Sequence, residues 1–168
     1  NSSPLTPEQA LVFARLLDCQ VKDFSPRINA LLSGTPTHQI SIIEGSETEI
    51  VKAARQMAAG KKITIRNGSS ISYPGNCNTE VRAFIVNSTA MEPELKEGCY
   101  AYVDPTIEIS SGNSVCLVKD DSVVFAKYIG NETYELTNPK FPDRVFKLNG
   151  GDVEVGVVIG TFVPMVLT

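Results

Sequence analysis

Beyond Gly75 one signal dominates the sequence: short apolar runs alternate with polar residues and are broken by turn residues, with no further long helical period. Alternation sends successive side chains to opposite faces of a strand, so this stretch is constrained to build a sheet rather than a helical bundle. The runs predict strands over residues 81–87, 99–104, 114–119, 123–129, 134–137 and 153–166. Asp120, Asp121 and Ser122 form a tight turn between two of them, which predicts a hairpin over residues 115–129. The last run is long and rich in valine, and Gly156, Gly160 and Pro164 interrupt it. Such a strand is expected either to bend around a barrel-like sheet or to lie at an edge open to a partner.

Upstream the period changes. Ile50, Val51, Ala54 and Met57 share one face at helical spacing, which predicts an amphipathic helix over residues 47–59. After Gly60, Ile63 and Ile65 alternate with polar residues, Asn67 and Gly68 supply a favoured two-residue reversal, and Ile71 and Tyr73 resume the alternation. That pattern predicts a β-hairpin. Near the start, Thr6-Pro7-Glu8-Gln9 is a capping box with proline at the first helical position, ahead of Ala10, Leu11, Phe13, Ala14 and Leu17. Ser25-Pro26 repeats the signal before Ile28, Leu31 and Leu32, and Gly34 closes it. Two helices this short make no core alone, so by themselves they read as a helical hairpin packed on something larger. A Gly/Thr/Pro-rich connector at residues 33–38 marks an edge. The expected organisation is helices over residues 1–35, a linker, helix and hairpin over 36–78, and a strand-rich domain over 79–168.

The 168 residues are enough to bury a real core without disulfide or metal staples. Hydrophobic content of 42% and charged content of 20% are those of an ordinary globular chain. No apolar run approaches the roughly 20 residues that span a bilayer. A net charge of −4 argues against a broad phosphate-binding face. Cys19, Cys77, Cys99 and Cys116 are widely spaced without a CxxC pair, which predicts reduced, buried thiols and no zinc site. The single His38 excludes any site needing two histidines and reads as a solvated connector residue. No cofactor or metal is expected. A start at Asn1, without methionine or an apolar leader, reads as a fragment or processed product of a cytoplasmic protein.

The stretch that carries chemistry is Phe84-Ile85-Val86-Asn87-Ser88-Thr89-Ala90-Met91-Glu92-Pro93-Glu94-Leu95-Lys96-Glu97-Gly98, followed by Tyr100-Ala101-Tyr102-Val103-Asp104. It resembles the signature of the LexA-like self-cleaving peptidases, in which a strand leads into Gly-Asp-Ser-Met-Glu-Pro, then a Gly-Asp turn, then an apolar strand ending in Asp. Ser111-Gly112-Asn113-Ser114-Val115, Val124-Phe125-Ala126-Lys127-Tyr128-Ile129, Asn138-Pro139 and Val155-Gly156-Val157-Val158 resemble the later segments of that family. The likeness covers about half the chain. It implies a mainly β fold with N-terminal helices (α+β), a LexA/signal-peptidase-like bent sheet or partial barrel, and a self-associating domain of a phage or prophage repressor. Residues 5–27 are similar to the last helices of a Cro/CI-type helix-turn-helix domain, whose recognition helix would precede them and alone would read operator DNA.

In that family a serine attacks a peptide bond of its own chain and a lysine accepts the proton. The resemblance places Lys127, 127 − 90 = 37 residues after Ala90, in the role of general base. A lysine can do this near neutral pH only if burial lowers its pKa, and the apolar neighbours Phe125 and Ile129 lead one to expect that. Spacing alone is equally consistent with an outward lysine that blunts a sheet edge. The nucleophile position holds Ala90, whose methyl group can neither attack a carbonyl nor donate a hydrogen bond. Ser88 and Thr89 are offset by one or two residues, too far for attack. Two accounts of Ala90 stay open: an engineered serine-to-alanine change that traps the uncleaved chain, or a naturally inert relative. Ala59-Gly60 is the one Ala-Gly or Cys-Gly dipeptide before Ala90 and is the candidate scissile bond; equally, Gly60 could serve as a helix C-cap. The expected partners are a second copy of the chain and a RecA-type co-protease or an antirepressor protein. The alternative within the same fold is a UmuD-like self-processing polymerase subunit.

Overall fold

A computed structural model describes residues 37–63 and 68–164 of the chain. The helices expected over residues 6–34 and the strand residue Ile65 lie outside the described residues. The chain divides into two compact units. Of the first, the described residues are 37–39 and 72–77, where Gln39 Nε2 donates to Ser72 Oγ at 2.9 Å. These residues belong to a two-stranded sheet formed by β1 (Thr37–Ser41) and β2 (Ser70–Pro74). The strand expected after Asn67-Gly68 is therefore present as β2, with β1 as its partner.

The second unit carries Ala59, Gly60, Ala90 and Lys127. Among its described residues there is one α-helix, α1 (Glu47–Ala58), and a curled antiparallel half-barrel sheet of seven strands. The strands are β3 (Arg82–Ile85), β4 (Tyr100–Asp104), β5 (Ser114–Lys119), β6 (Ser122–Gly130), β7 (Thr133–Glu135), β8 (Val145–Lys147) and β9 (Val153–Phe162). Their order across the sheet is β3-β4-β9-β5-β6-β7-β8.

The placement of β9 decides between the two expected courses in favour of the bent strand. It is an interior strand between β4 and β5, not an edge, and it bends with irregular register against both neighbours, at Tyr102/Val103 and at Cys116/Leu117. Gly156 is what permits the close approach. A side chain there would meet the Asp104 carbonyl oxygen at 2.4 Å, so only a glycine lets β9 pass β4 at this bend.

α1 forms where the sequence predicts it because both ends are capped locally. Ser46 Oγ accepts from the Glu49 amide, and Glu49 Oε2 accepts from the Ser46 amide at 2.8 Å. Its apolar face of Val51, Ala54 and Met57 packs in a core with Phe84, Val86, Met91, Val103, Cys116, Val118 and Phe125. The other face of the sheet is also covered, by a second cluster of Val115, Leu117, Ala126, Tyr134 and Val157. β5 shows why its sequence is apolar at every position from Val115 to Val118: successive residues feed opposite cores. The β5–β6 hairpin turns through Asp120 and Asp121, both left-handed at φ 48° and 56°, the conformation that matches a two-residue reversal to strand twist.

Candidate functional site

Position 90 sits at the exit of β3. Val86 is buried, and the chain then enters a single 3₁₀ turn, Thr89–Met91, that Ser88 caps by accepting the Ala90 amide on its hydroxyl oxygen at 3.1 Å. Met91, 1% exposed, pins the turn into the core. The turn is also held from the connection between β7 and β8. The Asn138 amide donates to the Ala90 carbonyl at 3.0 Å, Asn138 Nδ2 to the Thr89 carbonyl at 2.8 Å, and Thr137 Oγ1 to the Met91 carbonyl at 2.7 Å. Asn138 is buried, so these bonds tie the half-buried turn to a fixed anchor.

Ala90 and Ser88 line a cavity of about 360 Å³ whose walls are mainly apolar, among them Met91, Phe125, Leu136, Phe141 and Phe146. That volume accommodates a few apolar side chains or a small ligand. The lysine on its wall is Lys119, ion-paired with Asp120 and 5.7 Å from the centre of the Phe146 ring.

Lys127 lies on β6, opposite Ser114 of β5 and Glu135 of β7. By alternation it shares the face of Val123 and Phe125, the face on which the 3₁₀ turn packs. The Lys127 ammonium does not stand free beside Ala90. It donates to Glu94 Oε1 at 2.6 Å, and Ser114 Oγ donates to the other carboxylate oxygen at 3.2 Å. Glu94 follows Ala90 by four residues on the same reversal. The structure thus brings Lys127 to the segment that carries Ala90, with a carboxylate as its immediate partner.

This arrangement corrects the expected electrostatics. The hydrogen bond from Lys127 to Glu94 and the charge of that carboxylate raise the lysine pKa above its ordinary value, Glu135 adds to the effect, and burial opposes it more weakly. The side chain is one-third exposed and Ile129, the expected apolar neighbour, is 41% exposed, so desolvation is too slight to win. The ammonium form is favoured, the reverse of what a general base needs.

Ala59 and Gly60 sit elsewhere in the unit. Ala59 caps α1, and Gly60, at φ +64°, closes the helix: its amide donates to Met57 O at 3.0 Å and the Lys61 amide to Gln56 O at 2.9 Å. This paired bonding is a Schellman cap, so the Ala59-Gly60 peptide is not extended. Ala59 lines a shallow surface cavity with Val51, Lys52, Arg55 and Gln56, and none of the residues lining the Ala90 cavity takes part.

Sequence reasoning missed Glu94, Thr137, Asn138 and Lys119. Asn138-Pro139 was legible only as part of the resemblance, and nothing local announces that the asparagine reaches back to residues 89 and 90. Asp104, which ends the resembling strand, is buried and accepts from Asn78 Nδ2, the Thr106 amide and Thr106 Oγ1, a structural capping role. Burial raises the thiol pKa of both Cys99 and Cys116, which keeps them protonated and unreactive. Among the described residues no group of three His, Cys, Asp or Glu could hold a metal ion, and no helix is long and apolar enough to cross a membrane. Compared with protein-family models and with curated proteins, the chain matches none.

Proposed function

We propose that this chain is the regulatory and self-associating part of a LexA-like phage or prophage repressor, acting in the bacterial cytoplasm, with a self-cleavage centre that Ala90 leaves without a nucleophile. The observation that carries the reading is the meeting of two distant segments: Lys127 of β6 reaches the reversal that holds Ala90, beside an apolar cavity that Ala90 lines. In a complete centre of this type, a serine at position 90 passes its proton to an uncharged Lys127 amine while its oxygen bonds to the carbonyl carbon. The C–N bond breaks, the leaving amine takes up the proton, and water then releases the ester. A methyl group at position 90 has no proton to give and no lone pair, so the chain as it stands holds the scaffold without the reaction.

Assembly is the work left to such a scaffold. It pairs two DNA-binding heads so that they meet two operator half-sites. Release comes from a protein partner, either a RecA-type co-protease acting on a serine-bearing form or an antirepressor acting on this one. The candidate bond at Ala59-Gly60 reaches the centre only after the last turn of α1 unwinds, because a scissile peptide must be extended and within about 3.5 Å of its nucleophile.

The test is Ala90→Ser in the full chain, incubated across pH 7 to 10 and followed by intact mass. Two fragments meeting at Ala59-Gly60 are expected, with a rate that climbs with pH as Lys127 loses its proton. An intact chain throughout overturns the self-cleavage lineage. Sedimentation over a concentration series checks assembly independently, and a strict monomer at the highest concentration sinks it.

A further inference from the structure

We infer that Glu94 is a positioning residue that latches Lys127 away from position 90, so that the centre is held shut by an ion pair as well as by its missing nucleophile. The inference deepens the proposed function and rests on it for its biological meaning, though not for its physical test. Its basis is geometric. Glu94 lies on the reversal just past the 3₁₀ turn and holds the Lys127 nitrogen at 2.6 Å. Ser114, directly across the β5–β6 ladder from Lys127, donates to the second oxygen of the same carboxylate and so fixes its orientation. Three elements therefore converge on one contact. The other charged group facing Lys127 is Glu135 on β7, and that carboxylate has its own cation, Arg144, at 3.7 Å.

A lysine with its proton shared to a carboxylate has neither the lone pair nor the freedom to serve position 90. Moving it there requires Glu94 to let go, either by protonation or by a shift of the reversal that carries both residues. The latch also separates two kinds of control. Replacing Ala90 restores a nucleophile, whereas releasing Glu94 restores a base, and only the two together give a fast centre.

The experiment is to follow the titration of Lys127 by NMR of its side-chain carbon and nitrogen in the full chain carrying Ala90. Compared are the unaltered chain, Glu94→Gln and Ser114→Ala. Removing the carboxylate charge is expected to lower the titration midpoint by about half a pH unit or more. Removing only the Ser114 hydroxyl is expected to lower it less, in the same direction. An unchanged midpoint in Glu94→Gln overturns the latch. If that variant fails to fold, Ser114→Ala decides in the same way.

A second arm compares Ala90→Ser with Ala90→Ser/Glu94→Gln for self-cleavage near pH 8. Each pH unit of lowered pKa multiplies the neutral fraction about tenfold, so half a unit predicts about threefold faster cutting. Slower or equal cutting by the double variant overturns the latch as a brake on the reaction. If neither variant cuts while the Lys127 midpoint still falls, the latch stands and the self-cleavage reading is what fails.

Discussion

The turn that carries Ala90 and the helix end that carries Ala59-Gly60 are both chain reversals just beyond a regular element, yet they are secured in opposite ways. Thr89, Ala90 and Met91 present their carbonyls to Thr137 and Asn138, more than forty residues away, and Met91 is driven into the core. The α1 end relies on bonds back to Gln56 and Met57 of its own last turn. The difference teaches where stiffness comes from. A reversal tied from afar opens only when the sheet opens, whereas one tied to its own helix can open alone. For a centre that must keep one residue fixed and extend another, that is a workable division.

The contrast can be broken most forcefully at Asn138. Asn138→Ala removes the side-chain donor to the Thr89 carbonyl, which keeps only the Glu92 amide, and deprives the Lys140 amide of its acceptor, and is expected to cost about 2 kcal/mol in urea unfolding. Amide exchange over residues 89–91 should quicken while the end of α1 keeps its protection. Equal acceleration at both places would show that the two reversals are one cooperative unit. Next in size is Gly60→Ala, which forces a side chain into the left-handed region at φ +64° and is expected to cost about 1 kcal/mol. Here exchange at the Lys61 amide should rise and residues 89–91 stay unchanged.

The smallest effect tests the other end of the locally tied helix. The Ser46 amide and hydroxyl hold the Glu49 carboxyl below its ordinary pKa. A depressed carboxylate contributes stability above its unfolded value, and that contribution is lost as pH falls through the lower folded value. Thermal unfolding measured from pH 7 down through about pH 4 and below should therefore fall less steeply in Glu49→Gln than in the unaltered chain. Parallel acid limbs would mean that the capping box contributes nothing measurable.

Much of the fold could be read from local pattern. β5 runs over the predicted residues 114–119 and α1 over all but the last residue of its predicted span, because a short apolar run bounded by turns and an amphipathic helical period are short-range signals. β8 was invisible: three residues, Val145–Lys147, are too few to show a period. The course of β9 stayed open between an edge and a bend because valines broken by glycines look alike in both, and the 2.4 Å approach at Gly156 tells them apart. At the candidate site, Ala90 and Lys127 were visible through their motif. Glu94 was not, since a glutamate in a charged turn carries no mark of the strand it will meet. Lys127 itself was placed correctly on a strand, but its pKa shift depends on that meeting and so had the wrong sign.

The position of β9 also bears on how the chain reaches this state. In sequence it follows every other strand of the sheet, but in space it joins β3-β4 on one side to β5 through β8 on the other. Until it inserts, the unit consists of two half-sheets, each with an open edge at β4 or β5. Closure needs contacts between residues about fifty positions apart, such as Asp104 with Val157, and long loops of this kind slow folding. During that interval the apolar strands Tyr100–Asp104 and Ser114–Lys119 offer unpaired backbone to any neighbouring chain, so yield on refolding should drop steeply with protein concentration.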